Sequence, residues 1–257
     1  MRHRNLALAV VAVVIVVAVG ATIVFHAGRL RAELIRADPD AILTRPDLAR
    51  AAMDRGRSGF AKNCASCHAD GRPDRDRGIP DLTDRDFLYG SGRVDELEQI
   101  VLHGIRSGDP RGYQLASMPA YGRPKPYAAE PLPPLSPQGV RDVVQFLLTA
   151  GARKADPASA ARGAQLYTTA GCYDCHGRDA GGDEAIGAPS LIDDIWLYGD
   201  GSPGAIQRSV AGGRAGFSPA FGRSLSAVDA RAIAVYVASL AQNRSKDSSG
   251  GNRIPAR

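Results

Sequence analysis

Aromatic residues, cysteine and methionine are all scarce in this chain. Phenylalanine, tryptophan and tyrosine together make up 6% of its 257 residues, and it has only four cysteines and three methionines. Because 29 glycines and 17 prolines are present as well, the composition predicts only a thin protein core. All four cysteines fall in two short motifs, so none remains for a structural disulfide.

Patterns typical of nucleic-acid binding and of hydrolytic catalysis are also missing. Lysine and arginine outnumber aspartate and glutamate by 32 to 27, but the arginines alternate with aspartate, as in residues 72–77, without interleaved aromatic residues. This pattern is typical of a solvated loop and excludes a nucleic-acid-binding stripe. The five histidines form no Ser/His/Asp constellation, and paired carboxylates such as Asp193 and Asp194 suit the capping of turns.

Two copies of the pattern Cys-x-x-Cys-His are present, at residues 64–68 (CASCH) and 172–176 (CYDCH). This pattern is the attachment signature of a c-type haem, in which both thiols form thioethers to the porphyrin and the histidine is the proximal iron ligand. A four-cysteine zinc site needs its pairs about 15–20 residues apart, and a thioredoxin-type dithiol needs a βαβ setting. Neither alternative fits, so the sequence predicts two covalently bound haem c groups. The predicted cofactor-binding residues are Cys64, Cys67, His68, Cys172, Cys175 and His176.

The sequence that follows each motif is repeated in order. Residues 80–90 (PDLTDRDFLYG) match 189–199 (PSLIDDIWLYG), and residues 119–123 (PAYGR) match 219–223 (PAFGR). Ordered matches of this kind indicate an internal duplication. A bound porphyrin in each copy would supply the apolar mass that the composition lacks.

Each copy is predicted to begin and end with a helix. The first helix runs from an Asp47 N-cap to about Lys62, and an apolar stripe at helical spacing ends each copy. Short helices are predicted at 95–104 and 204–212. The first helices carry a glycine followed one turn later by an aromatic residue, which suits a close helix crossing. We therefore expect the first and last helices of the same copy to pack against each other.

The N-terminus predicts a membrane anchor. Residues 1–4 are basic, and residues 6–25 are an uncharged apolar run of about 20 residues, enough to span a bilayer. Positive residues at the start favour a cytoplasmic N-terminus, which places the haem domains on the periplasmic side of the bacterial inner membrane. A signal peptide cleaved near residues 18–20 is the alternative.

Each half resembles a class I cytochrome c domain, and the pair is similar to the dihaem subunit of cbb3-type cytochrome c oxidases. The motifs that carry this resemblance are residues 86–90 (DFLYG), 103–106 (HGIR), 118–122 (MPAYG) and 195–199 (IWLYG). The resemblance covers about residues 47–241. It implies a membrane-anchored protein that passes electrons from donor cytochromes toward the catalytic subunits of an oxidase. The aromatic- and proline-rich juxtamembrane segment of those subunits is not seen in this sequence.

The predicted fold class is all-α, with two tandem class I cytochrome c domains after one N-terminal transmembrane helix. The predicted boundaries are an anchor at 1–28, a polar stalk at 29–46, cytochrome domains at 47–150 and 158–241, and a disordered tail at 242–257.

The sixth iron ligands are predicted from the few remaining methionines and histidines. A thioether ligand raises the potential of a low-spin haem, and the resemblance places Met118 in that position, so we predict that the first haem has His68 and Met118 as axial ligands. Met53 lies on a helix before the motif, where packing in the core is expected. His103 is a rival ligand, but its place on a short helix is more typical of a surface or propionate-contacting histidine.

The second copy lacks the methionine. Alignment of residues 119–120 with 219–220 places Ser218 opposite Met118, and no histidine follows His176. Because a hydroxyl is a poor ligand for ferrous iron, the second haem is predicted to be five-coordinate, water-bound or ligated by an unexpected group. Its potential would be lowered and its iron open to ligands such as NO or CO.

Arginines at matched places in the two copies are predicted either to hold haem propionates or to be solvated surface charges. They are Arg106, Arg123, Arg214 and Arg223.

The first functional hypothesis is a membrane-anchored dihaem cytochrome c that relays single electrons to a cbb3-type terminal oxidase in respiration. It performs no bond chemistry of its own, and its partners are oxidase subunits and donor cytochromes. The alternative is an electron acceptor of a periplasmic dehydrogenase, or a free anchored shuttle. A third hypothesis, a gas-binding or catalytic dihaem protein with an open second haem, lacks the catalytic ligands that such enzymes need near that haem.

Overall fold

The computed structural model describes residues 2–114, 117–125 and 132–249. Within these ranges the secondary structure is helical, with isolated β-bridges and no strands, which confirms the all-α prediction. The α-helices are α1 (Arg2–Arg36), α2 (Pro46–Asn63), α3 (Ala65–His68), α4 (Val94–His103), α5 (Pro137–Ala150), α6 (Pro157–Thr169), α7 (Tyr173–His176), α8 (Pro203–Gly212) and α9 (Ala227–Ser249). A 3₁₀ helix spans Pro39–Thr44.

Helix α1 supports a membrane anchor. Among the described residues it is the one helix long and apolar enough, by length and composition, to cross a bilayer. Its side chains at residues 11–25 are exposed, and Val16, Val24 and Phe25 are each 70% or more exposed. A helix that exposes large apolar side chains around its whole circumference is unfavourable in water and is suited to lipid.

The segment predicted as a polar stalk, 29–46, is part of the packed core instead of a free spacer. Leu34 and Ile42 are buried in one cluster with residues of α2, α4 and α9. On α9, the guanidinium of Arg231 donates to the backbone carbonyl of Leu34 at 3.1 Å and forms a buried ion pair with Glu98 of α4. The charged residues around these two apolar side chains concealed their burial from the sequence pattern.

The helices of the two repeats exchange partners. Helix α2 packs against α9, and α5 packs against α6, while α4 lies on α9 and α8 lies on α5. The prediction that the first and last helices of the same repeat pack together is therefore wrong. We call α2, α3, α4 and α9 the first compartment, and α5 to α8 the second compartment. The sequence repeats 47–150 and 158–241 each contribute helices to both compartments.

The exchange follows from the short connection between α5 and α6. Only residues 151–156 join the two helices, and the side chain of Gln145 accepts a hydrogen bond from the N–H of Asp156 at 2.8 Å across the turn. Helices joined by so few residues pack as antiparallel neighbours. Because α6 thereby occupies the apolar face of α5, the apolar face of α2 is left for α9, the last helix of the chain.

Glycines allow both helix crossings. A Cβ atom at Gly56 would overlap the backbone carbonyl of Ala232 on α9, and a Cβ atom at Gly163 would overlap the carbonyl of Asp142 on α5. In each case the overlapping atoms belong to the backbone, which cannot relieve the clash by a change of rotamer. The two helix axes can approach this closely only because glycine occupies both positions.

An aromatic pair packs beside each crossing, one helical turn after the glycine. The rings of Phe60 and Tyr236 have centroids 5.3 Å apart, and those of Phe146 and Tyr167 are 4.9 Å apart. Tilted pairs at these distances stabilise packing beyond their buried area, by about 0.5–1.5 kcal/mol. The close crossing predicted from glycine and aromatic spacing is confirmed, but the partner helix comes from the other repeat.

Substitution of either crossing glycine by alanine is expected to destabilise the protein. Alanine is more favourable than glycine in a helix by about 1 kcal/mol. Overpacking that forces two helices apart costs about 1–3 kcal/mol, and the cost should exceed the gain here because the added Cβ meets backbone atoms. G56A and G163A should therefore lower the midpoint of chemical unfolding. The matched control is G212A, because a Cβ at Gly212 meets nothing within 4 Å. An equal response of all three variants would contradict the crossing geometry.

Two predicted boundaries shift in the structure. Helix α2 begins at Pro46, so Asp47 lies in its first turn instead of at the N-cap. Helix α9 continues to Ser249, into the predicted disordered tail at 242–257. Residues 250–257 of that tail lie outside the described residues.

Candidate haem-binding sites

Each Cys-x-x-Cys-His motif forms a single helical turn at the end of a longer helix. In the first motif the N–H groups of Cys67 and His68 both donate to the carbonyl of Cys64, at 3.1 and 2.9 Å, and the second motif makes the same two bonds at 3.4 and 3.1 Å. One turn thus carries both thiols and the imidazole. None of the four cysteines forms a disulfide, so all four are available for haem attachment.

The first thiol of each motif is poorly suited to dithiol redox chemistry. Burial raises the pKa of Cys64 and of Cys172 to about 11, so both remain protonated at neutral pH. Dithiol oxidoreductases use thiolates with lowered pKa values. No group of three or more His, Cys, Asp or Glu side chains suited to a metal ion occurs in the described part of the chain.

The imidazole of His176 is positioned as an iron ligand. Its Nδ1 lies 2.9 Å from the backbone carbonyl of Pro189 and can only donate to it, which leaves the lone pair of Nε2 for a metal. Burial lowers the pKa of His176, so the ring is neutral. A hydrogen bond from the second ring nitrogen to a carbonyl is the usual support of a metal-bound histidine.

His68 has a different environment. Burial lowers the pKa of this ring as well, but its Nδ1 is buried without a hydrogen-bond partner among the described residues. The neutral ring can bind iron through Nε2, but it lacks the support that the carbonyl of Pro189 gives to His176. The residues of both motifs therefore fit covalently held haem c.

Met118 lies in the second compartment. It packs against the cluster of α5, α6 and α8, to which Cys172 also belongs. The N–H of Met118 donates to the carbonyl of Arg214 at 2.7 Å, and the N–H of Arg214 donates back at 3.1 Å. The predicted placement of Met118 opposite His68 is therefore wrong, because the chain leaves the first compartment after α4 and has entered the second one before it reaches Met118.

Tyr121 is a site residue that sequence reasoning missed. Its side chain is 3% exposed, and its hydroxyl donates to the carbonyl of Ala170 at 2.6 Å, two residues before Cys172. This bond ties the segment that carries Met118 to the segment that carries the second motif. The available signal was the tyrosine three residues after Met118, which the second repeat replaces by Phe221.

Ser218 lies in the first compartment. Ser218 and Ile105 exchange both backbone hydrogen bonds, at 2.9 and 3.0 Å. In the repeat Ile105 corresponds to Arg214, so this pair reproduces the pairing of Met118 with Arg214. The predicted placement of Ser218 opposite the second motif is therefore wrong as well, because Ser218 lies in the first compartment and Met118 in the second.

The loops that follow the two motifs pack reciprocally. The ring of Tyr198 lies where a Cβ of Gly78 would be, and the ring of Tyr89 lies where a Cβ of Gly187 would be. Both glycines have positive φ angles, 70° and 72°, which favour glycine independently of the space available. Each tyrosine belongs to the repeated Leu-Tyr-Gly segment of the opposite copy.

Two backbone hydrogen bonds cross the same boundary. The N–H of Gly90 donates to the carbonyl of Glu184 at 3.2 Å, and the N–H of Gly199 donates to the carbonyl of Arg75 at 3.1 Å. The cleft between these loops is lined by residues of both repeats. The two haem-binding loops therefore lie against each other and are not separated by a linker.

Two of the four predicted propionate-binding arginines lie beside these tyrosines. Arg106 donates to the hydroxyl of Tyr89 at 2.8 Å, and the guanidinium of Arg214 lies 4.1 Å from the ring centroid of Tyr198. The other two predicted arginines are exposed. Only the first two are thus held in place at the contact between the compartments.

His103 is buried, although the sequence predicted a surface or propionate-contacting residue. It is 6% exposed, and its Nδ1 lies 3.2 Å from a carboxylate oxygen of Asp109. The loop after α4 folds back over the histidine, and helix periodicity does not predict such a contact outside the helix.

Comparison with known proteins identifies the family to which the sequence belongs. Residues 51–147 and 158–237 match the family described as cytochrome c oxidase, cbb3-type, subunit III. The two matched ranges contain one Cys-x-x-Cys-His motif each.

Relatives with similar sequences carry the same description. The cbb3-type cytochrome c oxidase subunit FixP of Azorhizobium caulinodans is 36% identical over 196 residues, which are 76% of this chain and 62% of FixP. Subunit CcoP of Cereibacter sphaeroides is 34% identical over 208 residues, 81% of this chain and 68% of CcoP. Subunit CcoP of Rhodobacter capsulatus is 36% identical over 216 residues, 81% of this chain and 69% of that protein. The aligned part of the chain covers less than two thirds of the length of FixP and slightly more than two thirds of the length of each CcoP protein.

On the strength of the two matched ranges and the haem-binding turns within them, the chain belongs to the subunit III family of cbb3-type cytochrome c oxidases and binds haem c.

Proposed function

We propose that this protein is a membrane-anchored dihaem cytochrome c that relays single electrons toward the catalytic subunits of a cbb3-type oxidase. The observation that carries the proposal is the reciprocal packing of the two haem-binding loops, with Tyr198 over Gly78 and Tyr89 over Gly187. A shuttle with one site would need no such contact, whereas a relay needs both sites held close together. The names of the relatives, oxidase subunits FixP and CcoP, supply the partner.

The proposed ligand sets follow from the positions of the side chains. The first haem would be held by Cys64, Cys67 and His68, and the second by Cys172, Cys175, His176 and Met118. When bound, haem c supplies reversible one-electron exchange between ferrous and ferric iron.

The protein would orient the iron-binding side chains and tune the reduction potential of the haem. The carbonyl of Pro189 orients the ring of His176, and the hydroxyl of Tyr121 fixes the Met118 segment against the second motif. A thioether ligand raises the reduction potential. The compartment that holds Met118 is therefore the site of higher potential.

The proposed location is the bacterial inner membrane with the haem domains on the periplasmic side. Helix α1 is the anchor, and the basic residues that precede its apolar run favour a cytoplasmic N-terminus. Donor cytochromes of the periplasm would reach the compartments there. The last turns of α1 pack in the core, where Leu34 is buried, so the anchor would join the haem domains without a free spacer.

Purification of the full chain from membranes in mild detergent tests the proposal. We expect the pyridine haemochrome assay to give two haems c per chain, and the catalytic subunits of a cbb3-type oxidase to co-purify. Fewer than two haems per chain would overturn the relay. Two haems with a periplasmic dehydrogenase as the co-purifying partner would support the electron-acceptor alternative instead.

A further inference from the structure

Ser218 has the same backbone setting in the first compartment as Met118 has in the second. Ser218 is paired with Ile105 by hydrogen bonds of 2.9 and 3.0 Å, and Met118 with Arg214 by bonds of 2.7 and 3.1 Å. Both pairs are antiparallel bridges between a loop of one repeat and a loop of the other. The two side chains therefore start from equivalent positions.

The register after these residues is also the same. Three residues beyond Ser218, the N–H of Phe221 donates to the carbonyl of Val101 on α4 at 3.0 Å. Three residues beyond Met118, the N–H of Tyr121 donates to the carbonyl of Val210 on α8 at 3.1 Å. Because α4 and α8 are equivalent helices of the two compartments, Ser218 faces the site of His68 as Met118 faces the site of His176.

A serine cannot replace the methionine as a ligand. Its oxygen is one bond closer to the backbone than the methionine sulfur, and a neutral hydroxyl is a poor ligand for ferrous iron, which favours thioether and imidazole. The other such donors of this compartment lie outside the Ser218 segment. His103 is the last residue of α4, at the position that Gly212 has at the end of α8, and Met53 lies on α2, the helix that leads into the proximal motif.

The segment that carries Ser218 is also held less tightly than its counterpart. The hydroxyl of Tyr121 donates to the carbonyl of Ala170 at 2.6 Å, whereas Phe221 has no hydroxyl with which to make the equivalent bond. Ala120 is buried, while the matching Ala220 is exposed. Small solutes therefore have easier access to the distal side of the first compartment than to that of the second.

We propose that the iron held by His68 has an open sixth position that binds small π-acceptor ligands such as CO and NO, with the Ser218 hydroxyl beside the ligand as a hydrogen-bond donor. The inference rests on the proposed function insofar as both motifs must carry haem. Binding of CO to ferrous iron forms one Fe–C bond from the carbon lone pair, transfers no net electron and displaces at most a weakly held water. The iron held by His176 is closed by Met118.

The test uses the holoprotein with a haemochrome count of two, reduced with dithionite and titrated with CO. We expect one CO per chain, and a ferric EPR spectrum in which a high-spin signal accounts for half of the haem. S218M supplies a thioether, and it should abolish both CO binding and the high-spin signal. The matched control S218A removes only the hydroxyl, and it should still bind one CO, with a raised C–O stretching frequency because the hydrogen bond is lost.

Several results would overturn the inference. One is a wild-type protein with two haems that are both low-spin and unreactive with CO. In that case a gain of CO binding in H103A would identify His103 as the sixth ligand of the first haem. Equal CO binding by the wild type and a fully haem-loaded S218M would place the open site elsewhere. Failure of the proposed function is recognised separately, because it appears as a haem count below two. If S218M does not load haem, the wild-type EPR spectrum and S218A still decide the question.

Discussion

Replacement of Met118 by leucine is expected to lower the reduction potential of the haem at the second motif and to leave the haem at the first motif unchanged. Axial ligands shift haem potentials over a span of roughly 0.8 V, and loss of the thioether should account for a substantial part of that span. Leucine has nearly the same volume as methionine, so the packing cost should stay below about 1.5 kcal/mol. The effect is thus electronic and not a consequence of unfolding.

Redox titration followed in the visible spectrum measures this effect. In the wild type we expect one wave of low and one of high potential, and in M118L only low-potential waves, with a second site able to bind CO. The matched control is M53L on α2, which should leave both waves in place. A shift of the potentials in M53L equal to that in M118L would contradict the assignment of Met118 as the ligand.

Removal of one cysteine pair is expected to have the largest effect on stability. C64S/C67S should retain one haem per chain, and the first compartment should lose the apolar mass at its centre. That loss is comparable with the roughly 5–15 kcal/mol that holds an ordinary domain folded, so α2, α4 and α9 should become largely unstructured. Circular dichroism would record the loss of helix, and the haemochrome assay would record the remaining haem.

The remaining compartment should be weakened as well, because the two compartments share contacts. In C64S/C67S the contact of Tyr89 with Gly187 and the bond from Gly90 to Glu184 have no folded partner. A loss of about 3 kcal/mol would lower the melting temperature of the remaining compartment, which is a domain of fewer than about 100 residues, by roughly 12–24 °C. Thermal unfolding followed at the Soret band measures this shift. An unchanged melting temperature would show that the compartments are independent, contrary to the exchanged packing.

The sequence allowed the chemistry of the site to be predicted, but not the pairing of its parts. Both haem motifs, the helical class and the glycine at each helix crossing could be read directly, because attachment chemistry and helix periodicity depend on residues close in sequence. Periodicity shows which face of α2 is buried but not which helix covers it. The six-residue connection 151–156 between α5 and α6 was the one local signal of the exchange.

The error about the position of Met118 followed from the error about packing. The resemblance to the family assigned Met118 to His68, whereas the structure packs Met118 in one cluster with Cys172. The burial of Leu34 and His103 was missed for a related reason, since each is covered by a distant segment or by a loop that folds back. Duplicated sequences allow such exchange because equivalent helices have similar packing surfaces, so the last helix of one repeat can pack against the first helix of either repeat.

The exchanged arrangement is tested most directly by the near-infrared charge-transfer band of sulfur-ligated ferric haem, measured at low temperature in the two single-haem variants. With one haem confirmed per chain, this account predicts that the band remains in C64S/C67S, where only the haem at His176 is left, and that it is absent from C172S/C175S. The opposite pattern, with the band retained only by the haem at His68, would show that Met118 serves the first motif and would contradict the account.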